Sequence, residues 1–141
     1  MRSCSQHVQS SAHDTEAILS DQLLSPIADE IVPVCQTLGT VRLSHGGNKA
    51  YHTMVAAYFL DMARVWRSLR RVTARGGDVC FVIGDSAPYG VYVPVEQWMG
   101  KLALAGGFQA WRFEKIRDRN VKWKNRKHRV PLQEGRLWVK G

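Results

Sequence analysis

Apolar residues recur at helical spacing over one long stretch. Tyr51, Met54, Val55, Tyr58, Met62, Val65, Leu69 and Val72 follow the i, i+3, i+4, i+7 rule of a helix with one buried face. Arg64, Arg67, Arg70, Arg71 and Arg75 crowd its last turns, where cations complement the negative end of the helix dipole, and Gly76-Gly77 stops it. Val79-Cys80-Phe81-Val82-Ile83 then runs apolar without a break. It is too short for a helix and reads as a strand buried on both faces of a parallel sheet, with Cys80 a small core residue. Gly84 to Gly90 forms a loop at the carboxyl end of that strand, the end at which open α/β sheets bind ligands. Pro94 opens another helix, with Val95, Trp98, Met99 and Leu102 on one face, and Ala105-Gly106-Gly107 closes it. A strand from Phe108 to about Arg119, a basic loop to Pro131 and a last strand around Arg136 to Val139 follow. Too few residues separate these strands for a crossover helix, so they are expected to form an antiparallel hairpin.

The amino-terminal third is less periodic. Residues 1–13 are polar and read as a disordered lead-in. A weak helical pattern starts at Asp14 with Ile18, Leu19, Leu23 and Leu24. Ser25-Pro26 looks like a cap and first turn, opening a short helix to about Leu38 that Pro33 should kink or shorten. Gly39 to Asn48 reads as a loop. The expected organisation is therefore a lead-in (1–13), a helical segment and loop (14–47) and an α/β subdomain (48–141).

Charge changes this picture in one place. Residues 1–110 hold nine basic and nine acidic residues, whereas residues 111–141 hold eleven basic and three acidic. The whole net charge of +8 thus sits in the last 31 residues of a 141-residue chain. A uniformly basic packing protein is excluded; a neutral body with one basic face remains. Cys4, Cys35 and Cys80 are odd in number and form no CxxC pair, which points to free thiols in a reducing, cytoplasmic compartment. His7 and His13 lack a Cys or carboxylate cluster around them, so no metal site is expected. There is neither an apolar run of membrane-spanning length nor an apolar stretch before Pro26, so no membrane span and no secretory signal are expected.

Four blocks taken in order resemble a known family. They are Tyr58-Phe59-Leu60-Asp61-Met62, Leu69 to Gly77, Phe81-Val82-Ile83-Gly84-Asp85-Ser86, and Ala105-Gly106-Gly107-Phe108. Together they are similar to the carboxyl half of class I S-adenosylmethionine-dependent methyltransferases, most closely the site-specific DNA methyltransferases that act on exocyclic amines (adenine N6 or cytosine N4). The resemblance covers about residues 48–141. It implies a partial Rossmann-like α/β sheet in which the family's seventh strand lies antiparallel between the fifth and sixth. The family's cofactor-binding glycine turn follows its first strand, and its Pro-Pro-aromatic tetrad follows the fourth. Neither stands upstream of residue 48, and no D/N/S-P-P-Y/F/W tetrad occurs in the chain. Ser86-Ala87-Pro88-Tyr89 looks like that tetrad with one proline lost, but the Gly-Phe and hairpin downstream fit the later register better.

The resemblance implies that catalytic and cofactor-binding residues lie off this chain, so S-adenosylmethionine is expected only with the missing half. It places Asp85, Ser86 and Tyr89 beside the target-base pocket; a loop that needs Gly84, Pro88 and Gly90 only for its turns is the plainer alternative. It sets Arg117, Arg119, Lys122, Lys124, Arg126, Lys127 and Arg129 on the terminal hairpin, where cations interleaved with Trp111, Phe113 and Trp123 would meet DNA phosphates. Packing against the helices is the more ordinary role for Trp111 and Phe113. A Val79–Ile83 strand without its usual neighbour would be an open apolar edge. Three arrangements stay open: a truncated methyltransferase, one subunit of a split enzyme with a complementary or self-associating partner, and a non-enzymatic nucleic-acid-binding module.

Overall fold

The computed structural model describes residues 12–46, 49–119 and 129–141. They form a mixed helix–strand fold. Helix α1 (Ala12–Leu19), a 3-10 turn (Gln22–Ile27) and α2 (Ala28–Ser44) lead into the long helix α3 (Tyr51–Val72). Strand β1 (Asp78–Gly84), a 3-10 turn (Pro88–Gly90), α4 (Val95–Ala105), β2 (Ala110–Arg119) and β3 (Leu132–Lys140) complete the chain. The sheet order is β1-β3-β2, and β3 is antiparallel to both neighbours.

The first segment folds differently from its sequence pattern. Pro26 lies inside the 3-10 turn rather than opening a helix, and Asp21 caps that turn by accepting from Leu23 N–H at 2.9 Å. The following helix runs through Pro33 and Gly39 to Ser44, where a stop and a loop were expected. Pro33 removes one helical hydrogen bond, a cost of about 3 kcal/mol. Burial of Ile31, Cys35 and Leu38 against the core opposes that cost. Cys35 Sγ–H donates to the carbonyl of His52 on α3 at 3.4 Å, and burial pushes its thiol pKa up to about 12. Helix α2 is tied to α4 through Glu30, which accepts from Trp98 Nε1–H at 2.7 Å and pairs with Lys101.

Helix α3 has the expected length, and all of the expected stripe except Val72 lies in or against the core, with the most buried face rotated toward Phe59 and Trp66. Val55, Ala56, Phe59, Met62, Ala63 and Trp66 point into the core, while Val65 and Leu69 are only half-buried and Val72 is exposed. The rings of Phe59 and Trp98 meet edge-on at 4.9 Å, and Trp66 packs on Phe81 and Phe108 at 5.1 and 5.4 Å. These large aromatics, each worth about 2–3 kcal/mol when buried, set the rotation of the helix. Arg70 near its end donates to the carbonyls of Gly107 and Thr73, which gives one of the terminal arginines a defined structural task.

Strand β1 is buried on one face only. Val79, Phe81 and Ile83 face the helices, whereas Cys80 and Val82 are exposed, Val82 by 69%. The expectation of a strand covered on both faces, with Cys80 in the core, is thereby corrected. The cause is that both helices flanking β1 in sequence, α3 and α4, pack on one side of the sheet. The hairpin β2–β3 forms as expected, with a register shift between Lys115 and Arg117. Gly100 on α4 and Gly135 on β3 leave room for Trp111 and for Phe113 respectively, so both aromatics pack inward. One continuous core joins Leu24, Ile27, Ile31 and Leu38 to Trp66, Trp98, Met99, Leu137 and Val139.

Candidate functional site

Residues 84–96 carry the chain from the carboxyl end of β1 into α4. The segment folds back on itself: Val93 N–H donates to the Ser86 carbonyl at 2.8 Å, closing an isolated bridge. Asp85 is only 2% exposed. Its N–H donates to the Gln133 carbonyl at 3.0 Å, its Oδ2 accepts from the Tyr92 hydroxyl at 3.0 Å, and its carbonyl accepts from Arg119 Nη1 at 3.0 Å. Ser86 is exposed. Tyr89 is half-buried with φ 51°, in the left-handed region that a non-glycine residue seldom occupies. Its ring packs on His45 at 4.7 Å and edge-on to Tyr51 at 4.9 Å, and its hydroxyl donates to the Lys49 carbonyl at 3.4 Å. The three loop residues singled out from the sequence thus point three ways: Asp85 inward, Ser86 to solvent and Tyr89 against the end of α2 and the start of α3.

A buried acid joins them that the sequence did not single out. Glu96, in the first turn of α4, accepts from Gln133 Nε2 at 3.1 Å. Burial, and then a hydrogen bond with the Asp85 carboxyl, push its pKa up to about 7. Burial and the bond to Asp85 likewise raise the Tyr92 hydroxyl well above its ordinary range. Asp85 Oδ1 and Glu96 Oε2 are both buried without a hydrogen-bond partner. A glutamate soon after Pro94 reads in sequence only as a helix-dipole acid, so no signal marked it.

The described hairpin cations are largely occupied. Arg117 Nη2 pairs with Glu134 at 2.8 Å, and Arg119 spans Glu134 and the Asp85 carbonyl. Arg119 also crosses Gly84: a Cβ there would stand 2.8 Å from its Nη1. Lys115 pairs with Asp118, Arg136 with Glu114 and Lys140 with Asp78, while the Arg112 guanidinium lies over the Trp138 ring at 5.2 Å. Exposed pairs of this kind exchange readily for other anions, since each contributes at most about 1 kcal/mol. Arg129 is exposed. Lys122, Lys124, Arg126 and Lys127 lie outside the described residues.

Among the described residues no group of three His, Cys, Asp or Glu side chains is placed to hold a metal ion, and no helix is long and apolar enough to cross a membrane. Comparisons with protein-family models, with curated proteins and with solved structures find no match to this chain.

Proposed function

We propose that the chain forms the DNA-side part of a class I methyltransferase sheet of the kind that methylates exocyclic amines of DNA bases. The observation that carries this reading is the strand order β1-β3-β2, with the terminal strand antiparallel between the other two. The family resemblance implies the same order for its last three strands. The connections agree: a helix and Gly-Gly turn enter β1, a Gly-Asp-Ser loop leaves it, and a helix ending in Gly-Phe enters β2. In this reading the excess cations of residues 122–129 meet DNA phosphates, and the inward network of Asp85, Tyr92, Glu96 and Arg119 fixes the loop that borders the base.

The residues described do not fit S-adenosylmethionine. The loop after β1 is closed by Arg119 across Gly84 and by the buried Asp85, and the segment before α3 is helical, with no strand ending in a glycine turn. No transfer step is therefore assigned to this chain, and the cofactor site belongs to another segment or subunit. That same closed loop favours a second reading, a nucleic-acid-binding module without transfer chemistry.

A filter assay with labelled cofactor, mixed duplex DNA and the purified chain tests the proposal alongside a direct DNA-binding titration. Binding without methyl transfer is expected. Transfer by the chain alone would overturn the assignment of the cofactor site elsewhere, and absence of DNA binding at low salt would overturn both readings.

A further inference from the structure

A groove of 450 Å³ lies between α1, α2 and the first turn of α3. Leu19 and Val32 give it apolar walls, and the carboxylate of Glu16 stands exposed at its rim. Its polar floor is buried: Thr15 is 6% exposed, Cys35 3% and His52 8%. Two of these three are satisfied within the fold. The hydroxyls of Thr15 and Thr53 are bonded at 2.6 Å, and Cys35 Sγ–H donates to the His52 carbonyl at 3.4 Å. The imidazole of His52 is not: its Nδ1 is buried without a hydrogen-bond partner. A buried polar atom left in that state is costly, and native folds keep few of them without a guest or a use. The ring lies beside Gly39, where a Cβ would stand 4.0 Å from its Cγ and Cδ2. α2 thus keeps a glycine, a poor helix former, at the place where a longer side chain would fill the groove.

We propose that this groove binds a small uncharged alcohol, whose apolar body lies against Leu19 and Val32 and whose hydroxyl meets Nδ1 of His52. The surrounding charges select against other groups. Burial, and then the charge of Arg42, lower the pKa of His52, so its ring is neutral at pH 7. A neutral imidazole has one donor and one acceptor nitrogen, and a hydroxyl both donates and accepts, so it satisfies Nδ1 in either tautomer. A ligand carboxylate would face Glu16 at the rim. A ligand ammonium on Nδ1 would be repelled by Arg42, as a proton there is. Cys35 adds no charge, because burial holds its thiol protonated. The volume falls within the range of small-molecule sites, which combine apolar walls with a few placed polar groups in this way. None of these residues belongs to the 84–96 loop or to the hairpin, so the site goes beyond the nucleic-acid reading and is independent of it.

Benzyl alcohol is the probe, with toluene, benzoate and benzylammonium as controls of similar shape, titrated into the full chain with isotope-labelled histidines and followed by NMR. Benzyl alcohol is expected to saturate, to move the Nδ1 resonance of His52 and to bind about tenfold or more tightly than each control. Gly39→Met fills the groove from a helical position of ordinary backbone geometry and is expected to abolish saturation while the thermal midpoint is kept. His52→Asn, which keeps a polar group near the place of Nδ1, should retain binding, and His52→Leu should weaken it about tenfold. If His52→Leu fails to fold, the probe series and Gly39→Met still decide. No saturable shift at His52, the result expected if water alone fills the groove, would overturn the proposal. Toluene, benzoate or benzylammonium binding as well as the alcohol, or undiminished binding by folded Gly39→Met or folded His52→Leu, would overturn it equally.

Discussion

The guanidinium of Arg119 donates to the backbone carbonyl of Asp85 at 3.0 Å, and this contact holds the end of the hairpin against the loop that leaves β1. The same side chain reaches Glu134 and covers Gly84. Arg119→Ala leaves a buried loop without its charged donor, at a cost of about 1–2 kcal/mol. The thermal midpoint is expected to fall by about 3–6 °C. Arg117→Ala removes only an exposed partner of Glu134 and is expected to cost less. Equal and negligible shifts for the two variants would show that the loop is held by something other than Arg119.

The Asp85–Glu96 pair makes stability depend on pH in a defined direction. Glu96 is raised from 4.5 to about 7, chiefly by burial and then by Asp85, with Gln133 and Tyr92 the other polar groups of the network. Between these values the folded chain keeps a proton that the unfolded chain has released. The contribution of Glu96 is fully present below 4.5 and is lost as pH rises through about 7. Glu96→Gln is neutral throughout. Its stability relative to wild type is expected to increase from about pH 5 to about pH 8 in urea titrations. Parallel curves for the two proteins would contradict the raised pKa of Glu96.

Gly100 is set by Trp111. A Cβ at this position of α4 would fall inside the indole ring, and the adjacent Met99 and Leu102 leave the helix no room to retreat. Gly100→Ala is expected to destabilise by about 1–3 kcal/mol despite the better helix propensity of alanine. Combining it with Trp111→Leu should return part of that loss. A stabilised Gly100→Ala variant in denaturant titration would mean that α4 does not lie on β2 as described.

Much of this architecture is legible in the sequence where local signals are strong. Gly76-Gly77, Pro94 and Gly106-Gly107 mark the ends of α3, α4 and their neighbours closely, and the short spacing of the last two strands dictates a hairpin. The rotation of α3 is not legible. Spacing alone makes Val72 look buried and leaves Trp66 off the stripe, whereas Val72 is exposed and Trp66 is buried by Phe81 and Phe108, which come from elements far along the chain. The continuous apolar run of β1 suggests two covered faces for the same reason: sequence records hydrophobicity, not which side the helices take. Pro33 and Gly39 act as breakers locally and are overridden by the burial of Ile31, Cys35 and Leu38. Glu96 carries no mark at all, since its altered chemistry arises from Asp85 and burial. The occupation of Arg117 and Arg119 by Glu134 and the Asp85 carbonyl is likewise a property of register across β2 and β3.

The proposed DNA contact is tested most directly by the salt dependence of duplex binding, measured by fluorescence anisotropy for wild type and for the combined alanine variant of Lys122, Lys124, Arg126 and Lys127. Each phosphate neutralised contributes about 0.9 to the slope of log affinity against log salt. The variant is expected to lose two or more such contacts, flattening the slope by about 2 or more with the thermal midpoint unchanged. A wild-type slope near zero, or a variant slope equal to that of wild type, would contradict the assignment of the basic hairpin to nucleic acid.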